Sequence, residues 1–447
     1  MKSYLSLPLL PLLFTSIITS QTPEQSYFEW TSMPFSKEQL AERRLRFMSH
    51  LPKNGLVFVP SKDGFSYGET FRQLDDFYYF TGLEIPNAIL VLDLSKKSSL
   101  IYTPERDLRF ESASRPNDFP GRPLLRDSDL TEASGIVLKN KKELNEDFRQ
   151  YTMPTVYLNL GRSGGVEQLS NELIQTPTPE EILMLGLRRM KNELLFKNYY
   201  EALAKVRMVK SESEIAFMRK ATEINVEGIK VAAKAIEAGK DERYLEGVLE
   251  GNYKKDGAQR LAFGSIIKSG PNSLWPWRIL ATHYDRRNRI MEDGDVVIFD
   301  VGCEYNYYVS DVGRTFPVSG TFTPKQREIL AMEVNIADQI IAFIKPGITF
   351  KDLRDLCDRI IPEDAKKYMQ AGLFFGHHLG LSTGDPNLSD ATLEPGMIFT
   401  VEPWYYNHDE QISVFTEDVI LVTKDGCEVL SKDLPRTPKA LEALMKE

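Results

Sequence analysis

Short apolar runs alternate with an amphipathic stretch through the first part of the chain. Residues 36–49 have the period of a helix, and Ser36 is placed to cap its first turn. Apolar runs that predict strands follow at residues 56–60, 87–94, 99–104 and 155–161. Strands combined with helical segments in this way predict a small mixed α/β domain.

The pattern is helical again from residue 177. One long helical stretch is predicted through residues 177–210, and a second helix begins at Ser211, where Glu214 completes a capping box. Apolar strand patterns return between residues 260 and 300. Further helices are predicted at residues 325–344, at residues 349–369 and from residue 438.

Two apolar runs in the second half of the chain each end on an aspartate. The run VVIFD ends at Asp300 and the run YYVSD ends at Asp311, with a turn-prone segment between them. Two carboxylates at the ends of buried strands are costly unless a cation or hydrogen bonds compensate them. On this segment alone, two ordinary turn aspartates explain the pattern equally well.

Three later residues join the aspartates. His377 lies in a glycine-flanked His pair, Glu402 follows an apolar run, and Glu417 interrupts another. Four carboxylates and one imidazole suit hard divalent cations, and this many carboxylates suits two metals better than one. Each residue also has an ordinary structural interpretation by itself, and the argument for a metal site depends on the set.

Length and composition set limits on the remaining alternatives. A chain of 447 residues with 42% hydrophobic and 27% charged residues exceeds one ordinary core. We therefore expect an α/β (α+β) protein with an N-terminal domain at residues 26–185 and a C-terminal domain at residues 190–447. The formal net charge of −9 disfavours a nucleic-acid partner.

The first twenty residues predict a separate segment. Lys2 is followed by an apolar stretch at residues 5–18 and by small polar residues. This pattern is typical of a secretory signal peptide at residues 1–20 and is too short for a stable membrane span. We expect an exported protein, periplasmic or secreted.

The three cysteines form neither a CxxC pair nor a disulfide framework. An exported chain could pair two of them, and the sequence does not say which. Cys303 lies three residues after Asp300 and could be a soft metal ligand. A small buried residue in the strand turn is the interpretation we prefer.

Long segments of the chain resemble the aminopeptidase P and prolidase group of the pita-bread metallopeptidases. IFDVGCEYNYYVSDVGRTFPVSG is similar to the group's first ligand segment, KSESEIAFMRKA to its domain-entry helix, and RQLDDFYYFTGLEIPNAILVL to its N-terminal domain. The resemblance implies a mixed α/β N-terminal domain, a C-terminal pita-bread catalytic domain, and dimers or tetramers.

The resemblance also implies a site and a reaction. Two metals, usually manganese, would be bound. Asp311 and Glu417 would bridge the two metals, and Asp300, His377 and Glu402 would each bind one metal. Glu402 would also shuttle protons, and His283 would lie near the scissile amide. The implied substrates are peptides with proline in the second position.

Two positions depart from that family pattern. Gly384 stands where the family usually has a second histidine that helps to stabilise the tetrahedral intermediate. His378 and His408 are candidates to compensate for it. Phe415 stands where many relatives have an arginine.

The leading hypothesis is an exported Xaa-Pro aminopeptidase with two metals. The first alternative, motivated by the two departures, is a metal-binding pita-bread protein with weak or no peptidase activity. The second alternative is an Xaa-Pro dipeptidase, a prolidase. Retention of all five ligands favours catalysis, because mutually repelling buried carboxylates need a cation.

Overall fold

The computed structural model describes residues 33–64, 70–105, 127–152, 154–161, 177–274, 288–369 and 376–447, and the backbone of 111–112 and 115–116. The predicted signal peptide, residues 1–20, lies outside these ranges. Export therefore stays a prediction.

The N-terminal part combines a sheet with helices on both of its faces. The strands are β1 (Leu56–Pro60), β2 (Ile89–Asp93), β3 (Ser98–Thr103), the short pair β4 (Glu111–Ser112) and β5 (Arg115–Pro116), β6 (Val137–Asn140), β7 (Thr155–Leu158) and β8 (Leu195–Asn198). The helices are α1 (Lys37–Ser49), α2 (Asp75–Thr81), α3 (Asp127–Ser134), α4 (Leu144–Gln150) and α5 (Pro179–Met190), with a 3-10 turn at Lys141–Glu143.

The described strands form a six-stranded sheet in the order β6-β3-β2-β1-β7-β8. Successive residues of β1 face opposite sides, as the pleat requires. Val57 and Val59 belong, with Phe47 of α1, to the main apolar core. Phe58 packs with Phe148 of α4 on the other side. The predicted α1 and its Ser36 cap, and the strands at β1, β2, β3 and β7, are confirmed.

The predicted long helix at residues 177–210 is wrong. The chain leaves α5 after Met190 and adds β8 to the sheet, parallel to β7, before it becomes helical again. Leu194 and Phe196 alternate toward the apolar face under α5, which a helix cannot achieve at that spacing. The domain limits at 185 and 190 stay a prediction, although the sheet takes its last strand from beyond them.

The C-terminal part contains small sheets surrounded by helices. Its strands are β9 (Arg260–Leu261), β10 (Ile266–Ser269), β11 (Val296–Val301), β12 (Cys303–Tyr305), β13 (Tyr308–Val309), β14 (Val312–Pro317), β15 (Ile398–Val401), β16 (Trp404–Asn407), β17 (Ile412–Phe415), β18 (Asp418–Val422) and β19 (Cys427–Val429). They pair in the orders β10-β11-β14, β13-β12-β9, β15-β18-β19 and β16-β17.

The helices of this part are α6 (Tyr200–Met208), α7 (Glu212–Lys234), α8 (Glu242–Lys255), α9 (Pro324–Phe343), α10 (Phe350–Ile360) and α11 (Pro438–Leu444), with 3-10 turns at Gly270–Leu274 and Lys366–Tyr368. At the start of α7, Glu214 accepts from the Ser211 backbone N at 2.9 Å, as the capping box predicted. The predicted helix at residues 349–369 ends earlier, at Ile360, because Pro362 cannot continue it.

One apolar cluster continues from the N-terminal sheet into the C-terminal sheets. Tyr78 of α2 stacks on Tyr307 at 3.7 Å between ring centroids, which joins the two parts directly. The predicted mixed α/β architecture is confirmed. None of the helices among the described residues is both long enough and apolar enough to cross a membrane.

The three cysteines are free thiols. Cys303 is fully buried, donates to the Ala221 carbonyl at 3.3 Å, and burial raises its pKa to about 12. It is therefore the small buried residue that the sequence favoured.

Candidate metal centre

Backbone pairing gathers three of the predicted ligands around Gly313. Antiparallel pairing of β11 with β14 puts Asp300 opposite Gly313, and Asp311 lies two residues before it. Glu417 exchanges two backbone hydrogen bonds with Gly313, at 3.0 and 3.3 Å. A Cβ at this glycine would overlap the Phe415 ring, so only glycine allows the strands to approach this closely.

The strand β15 supplies the other two ligands. It pairs with β18, which leaves Glu402 next to Glu417 just beyond the last paired residues. The carbonyl of His377 accepts from the Thr400 backbone N at 3.0 Å, so His377 lies alongside β15. All five predicted ligands therefore converge from four separate segments of the chain.

The sequence pattern predicted that the four carboxylates lie on apolar strands, and for three of them this is wrong. Asp300 lies within β11, but Asp311, Glu402 and Glu417 each lie in a two-residue gap between consecutive strands. A regular strand alternates its side chains between two faces. The gaps release the backbone from that alternation, which lets side chains from several strands point at one place.

The side-chain atoms are close enough to share a cation. Nε2 of His377 lies 3.5 Å from Oδ2 of Asp311 and 3.7 Å from Oε1 of Glu402. Ligand atoms of Asp311, His377 and Glu417 all lie within 4.8 Å of one another. Asp300 is 6% exposed, and its charge acts on the other three carboxylates.

These carboxylates resist ionisation in the metal-free chain. Burial, followed by the charge of Asp300, raises the pKa of Asp311 well above its ordinary value. Burial and the charge of Asp311 do the same to the pKa of Glu417. Burial and the charge of Asp300 raise the pKa of Glu402 to about 8, and burial lowers the pKa of His377.

The donor set fits divalent cations. Oδ1 of Asp311 and Oε2 of Glu417 are buried and lack a hydrogen-bond partner among the described residues. Such oxygens cost free energy unless another group binds them. Positive charge at this point would satisfy both oxygens and relieve the repulsion between the carboxylates. A set of carboxylate oxygens with one imidazole also has the donor chemistry that a hard or borderline metal prefers.

The structure brings none of the other three histidines singled out by the sequence into this cluster among the described residues. His283 lies in the segment 275–287, outside the described residues. His378 packs against Phe350 and Phe399 in the core, and neither of its ring nitrogens has a partner among the described residues. His408 is exposed in the turn between β16 and β17.

The two departures from the family pattern differ in character. Gly384 is exposed, and a Cβ added there would meet nothing within 4 Å, so the position has room for a side chain. Phe415 is fully buried and packs with Ile298 and Trp404 in a small apolar cluster beside the carboxylates. An aromatic ring thus fills the position where the resemblance implies an arginine.

The sequence analysis missed two supports of the site. Thr400 bonds to both His377 and Glu402. Asp385, next to Gly384, accepts from the Leu381 backbone N at 3.2 Å and forms a buried ion pair with Arg207 at 2.5 Å. The only local signal for Thr400 is a polar residue in an apolar strand two positions before a ligand. No local signal marks a pair 178 residues apart.

Two family models match the chain. The metallopeptidase family M24 matches residues 216–424, and the aminopeptidase P N-terminal domain matches residues 40–112. The first match contains all five candidate ligands, and the second contains α2 and β1 to β3. Their order agrees with the two-part architecture.

Individual proteins are similar over nearly the whole chain. An Xaa-Pro aminopeptidase of Escherichia coli (strain K12) is 29% identical over 84% of this chain and 89% of its own length. The mitochondrial intermediate cleaving peptidase 55 of Arabidopsis thaliana is 27% identical over 91% and 83%. Zinc-substituted E. coli aminopeptidase P in complex with product superposes with a TM-score of 0.76, at 26% identity, over 92% of this chain and 98% of that one.

Proposed function

Because the chain belongs to the aminopeptidase P group of the M24 metallopeptidases, we propose that it is a metal-dependent Xaa-Pro aminopeptidase. It hydrolyses the bond between an N-terminal residue and a following proline. The observation that carries the proposal is the buried cluster of Asp311, His377 and Glu417, whose ligand atoms lie within 4.8 Å of one another.

The proposed cofactors are two divalent cations, with manganese as the metal. Asp300, Asp311, His377, Glu402 and Glu417 would hold them, with Asp311 and Glu417 as the shared ligands that the resemblance implies. When bound, the cations supply positive charge that polarises the peptide carbonyl and acidifies a water molecule. Unpartnered oxygens on both proposed bridging residues support this assignment.

Glu402 is the proposed proton carrier. Burial and the charge of Asp300 raise the pKa of Glu402 to about 8, and a pKa near the working pH suits a group that transfers protons. Its side chain is 15% exposed, so substrate can reach it. Glu402 accepts a proton from the attacking water and delivers it to the proline nitrogen, which carries no hydrogen of its own and must gain one to leave.

His283 is proposed to hydrogen-bond near the scissile amide. This assignment rests on its position ahead of Asp300 in a segment that resembles the family. Gly384 cannot supply the second imidazole that the resemblance implies at its position.

A substrate panel tests the assignment. Purified protein with manganese is given a tripeptide with proline second, the same tripeptide with alanine second, and the Xaa-Pro dipeptide. We expect hydrolysis of the proline tripeptide alone. Preference for the dipeptide would make the protein a prolidase, and no hydrolysis of any of the three would exclude both peptidase assignments.

The alternative of a metal-binding protein with weak or no activity rests on Gly384. Because a side chain fits at this position without contact, Gly384→His is a clean test. If the wild type binds manganese without turnover and Gly384→His gains turnover, the alternative is correct. If wild-type turnover is already high and Gly384→His changes it little, the alternative is excluded.

We also propose that the protein is exported after cleavage near residue 20 and that it forms dimers or tetramers. The first part rests on the basic start and short apolar stretch of residues 1–20. N-terminal sequencing of the cell-derived protein tests the cleavage. Light scattering of the purified protein tests the assembly.

A further inference from the structure

A single buried hydroxyl joins two of the candidate ligands. Thr400 is fully buried in β15, two residues before Glu402, which follows the end of that strand. Its Oγ1 donates to Oε1 of Glu402 at 3.0 Å and accepts from the backbone N of His377 at 3.1 Å. Its backbone N donates to the carbonyl of His377 at 3.0 Å.

The direction of these bonds is fixed when Glu402 is ionised, because a carboxylate can only accept. A backbone N–H can only donate, so it occupies an acceptor position on Oγ1 of Thr400. The hydroxyl proton is then available for Glu402, and it points at Oε1, the oxygen that lies 3.7 Å from Nε2 of His377. The hydroxyl therefore sets the position of the Glu402 carboxylate relative to the His377 imidazole.

The surroundings leave this arrangement little freedom. Gly376, just before His377, has a φ of 70°, and a Cβ there would overlap both Oγ1 of Thr400 and Oε1 of Glu402. The absence of a side chain at Gly376 thus provides the space in which the hydroxyl and the carboxylate meet.

We propose that Thr400 is a positioning residue of the metal centre: its hydroxyl holds Glu402 and His377 in the relative arrangement that binds a cation and transfers the proton. The inference deepens the proposed function and rests on it for the catalytic part. Groups that orient metal ligands typically change metal affinity or activity by about 10- to 100-fold when removed.

The test compares variants of matched shape. Thr400→Val keeps the shape and removes the hydroxyl, and Thr400→Ser keeps the hydroxyl. Thr416→Val is the control, because Thr416 is also fully buried beside a ligand, Glu417, but its hydroxyl has no partner among the described residues. Calorimetry measures manganese binding to metal-depleted protein, and steady-state kinetics measure kcat and KM on an Xaa-Pro tripeptide.

We expect Thr400→Val to weaken manganese binding by about 10-fold or more and to lower kcat by a similar factor, with KM nearly unchanged. Thr400→Ser should restore both to near the wild-type values, and Thr416→Val should match the wild type. Should Thr400→Val fail to fold, Thr400→Ala carries the same expectation, because a smaller side chain cannot overfill the site.

Three results would overturn the inference: wild-type binding and kcat in Thr400→Val, a Thr400→Ser variant as impaired as Thr400→Val, or an equal loss in Thr416→Val. The binding arm separates this inference from the proposed function. If no variant hydrolyses the tripeptide but manganese affinity follows the hydroxyl, the positioning role stands and the peptidase assignment falls.

Discussion

At the scale of single residues, the site is governed by carboxylates that repel one another in a buried volume. Asp311 and Glu417 each keep one oxygen without a hydrogen-bond donor among the described residues, and the charge of Asp300 acts on both. Removing charges from water in this way is unfavourable unless a counter-charge is present. The metal-free chain therefore holds protons where the loaded protein would hold cations.

This gives a prediction about pH. In the metal-free protein, the free energy of unfolding should fall as pH rises from about 4.5 to about 8, the ordinary and folded-state pKa values of Glu402. Over that interval the Glu402 carboxyl binds more protons in the folded state than in the unfolded state, so this group makes unfolding easier as pH rises. Urea unfolding with a chelator and with manganese measures this, and the loaded protein should lose less stability. The prediction would be contradicted if the free energy of unfolding depended on pH in the same way with chelator as with manganese.

A second prediction concerns Gly376. Gly376→Ala should lower kcat/KM by about 100-fold, since the new Cβ displaces Thr400 and Glu402 and small displacements of reacting groups are costly. The positive φ adds backbone strain. Gly247→Ala, on the exposed face of α8 with no atom near the added Cβ, is the control and should retain wild-type kinetics. Unchanged kinetics in Gly376→Ala would contradict the close contact.

The five candidate ligands could be singled out from the sequence because each charged or imidazole side chain stands out against an apolar or glycine-rich background. The role of Thr400 was not predictable in the same way. Its partner His377 is 23 residues away, and a threonine is ordinary in a strand. His283 shows the other limit, since its placement was predicted from resemblance and lies outside the described residues.

At the scale of elements, short gaps between strands matter more than the strands themselves. Asp311, Glu402 and Glu417 each occupy such a gap, and buried Arg314 of β14 ties two of the strands together at this point. Its guanidinium donates to the carbonyl of Glu417 and to Oδ1 of Asp418 at 2.7 Å. The Arg314 guanidinium thus holds the backbone of Glu417, a candidate metal ligand, in place.

Replacing Arg314 with Met should therefore cost about 3 kcal/mol or more of unfolding free energy, because it leaves a buried carboxylate without its principal partner. Arg219→Met is the matched control. Arg219 pairs with Glu428 at the surface, where such pairs contribute about 1 kcal/mol or less. Urea midpoints measure both, and equal losses would contradict a special role for the buried pair.

The elements themselves were predictable to different degrees. The first residues of helices with strong caps were predicted to within a residue or two, as at Ser211 and Thr323. The strand β8 was missed because Leu194 and Phe196 lie among residues that favour a helix. Only pairing with β7, about forty residues earlier, makes that segment a strand.

At the scale of the whole molecule, the N-terminal part is tied to the loop that follows His377. Arg207 of α6 lies between Asp76 of α2, at 2.9 Å, and Asp385, at 2.5 Å, and is 3% exposed. The C-terminal sheets and the N-terminal part share one apolar core and a buried ion-pair network. Such contacts between distant residues could not be derived from local pattern.

The most direct test of the central claim is a metal titration of activity. The chelated protein is titrated with manganese while bound metal and hydrolysis of an Xaa-Pro tripeptide are measured on the same samples, alongside Glu417→Gln. The account predicts no activity without metal, full activity at two ions per chain, and loss of both tight binding and turnover in Glu417→Gln. Turnover that persists in the chelated protein, or that survives Glu417→Gln unchanged, would contradict it.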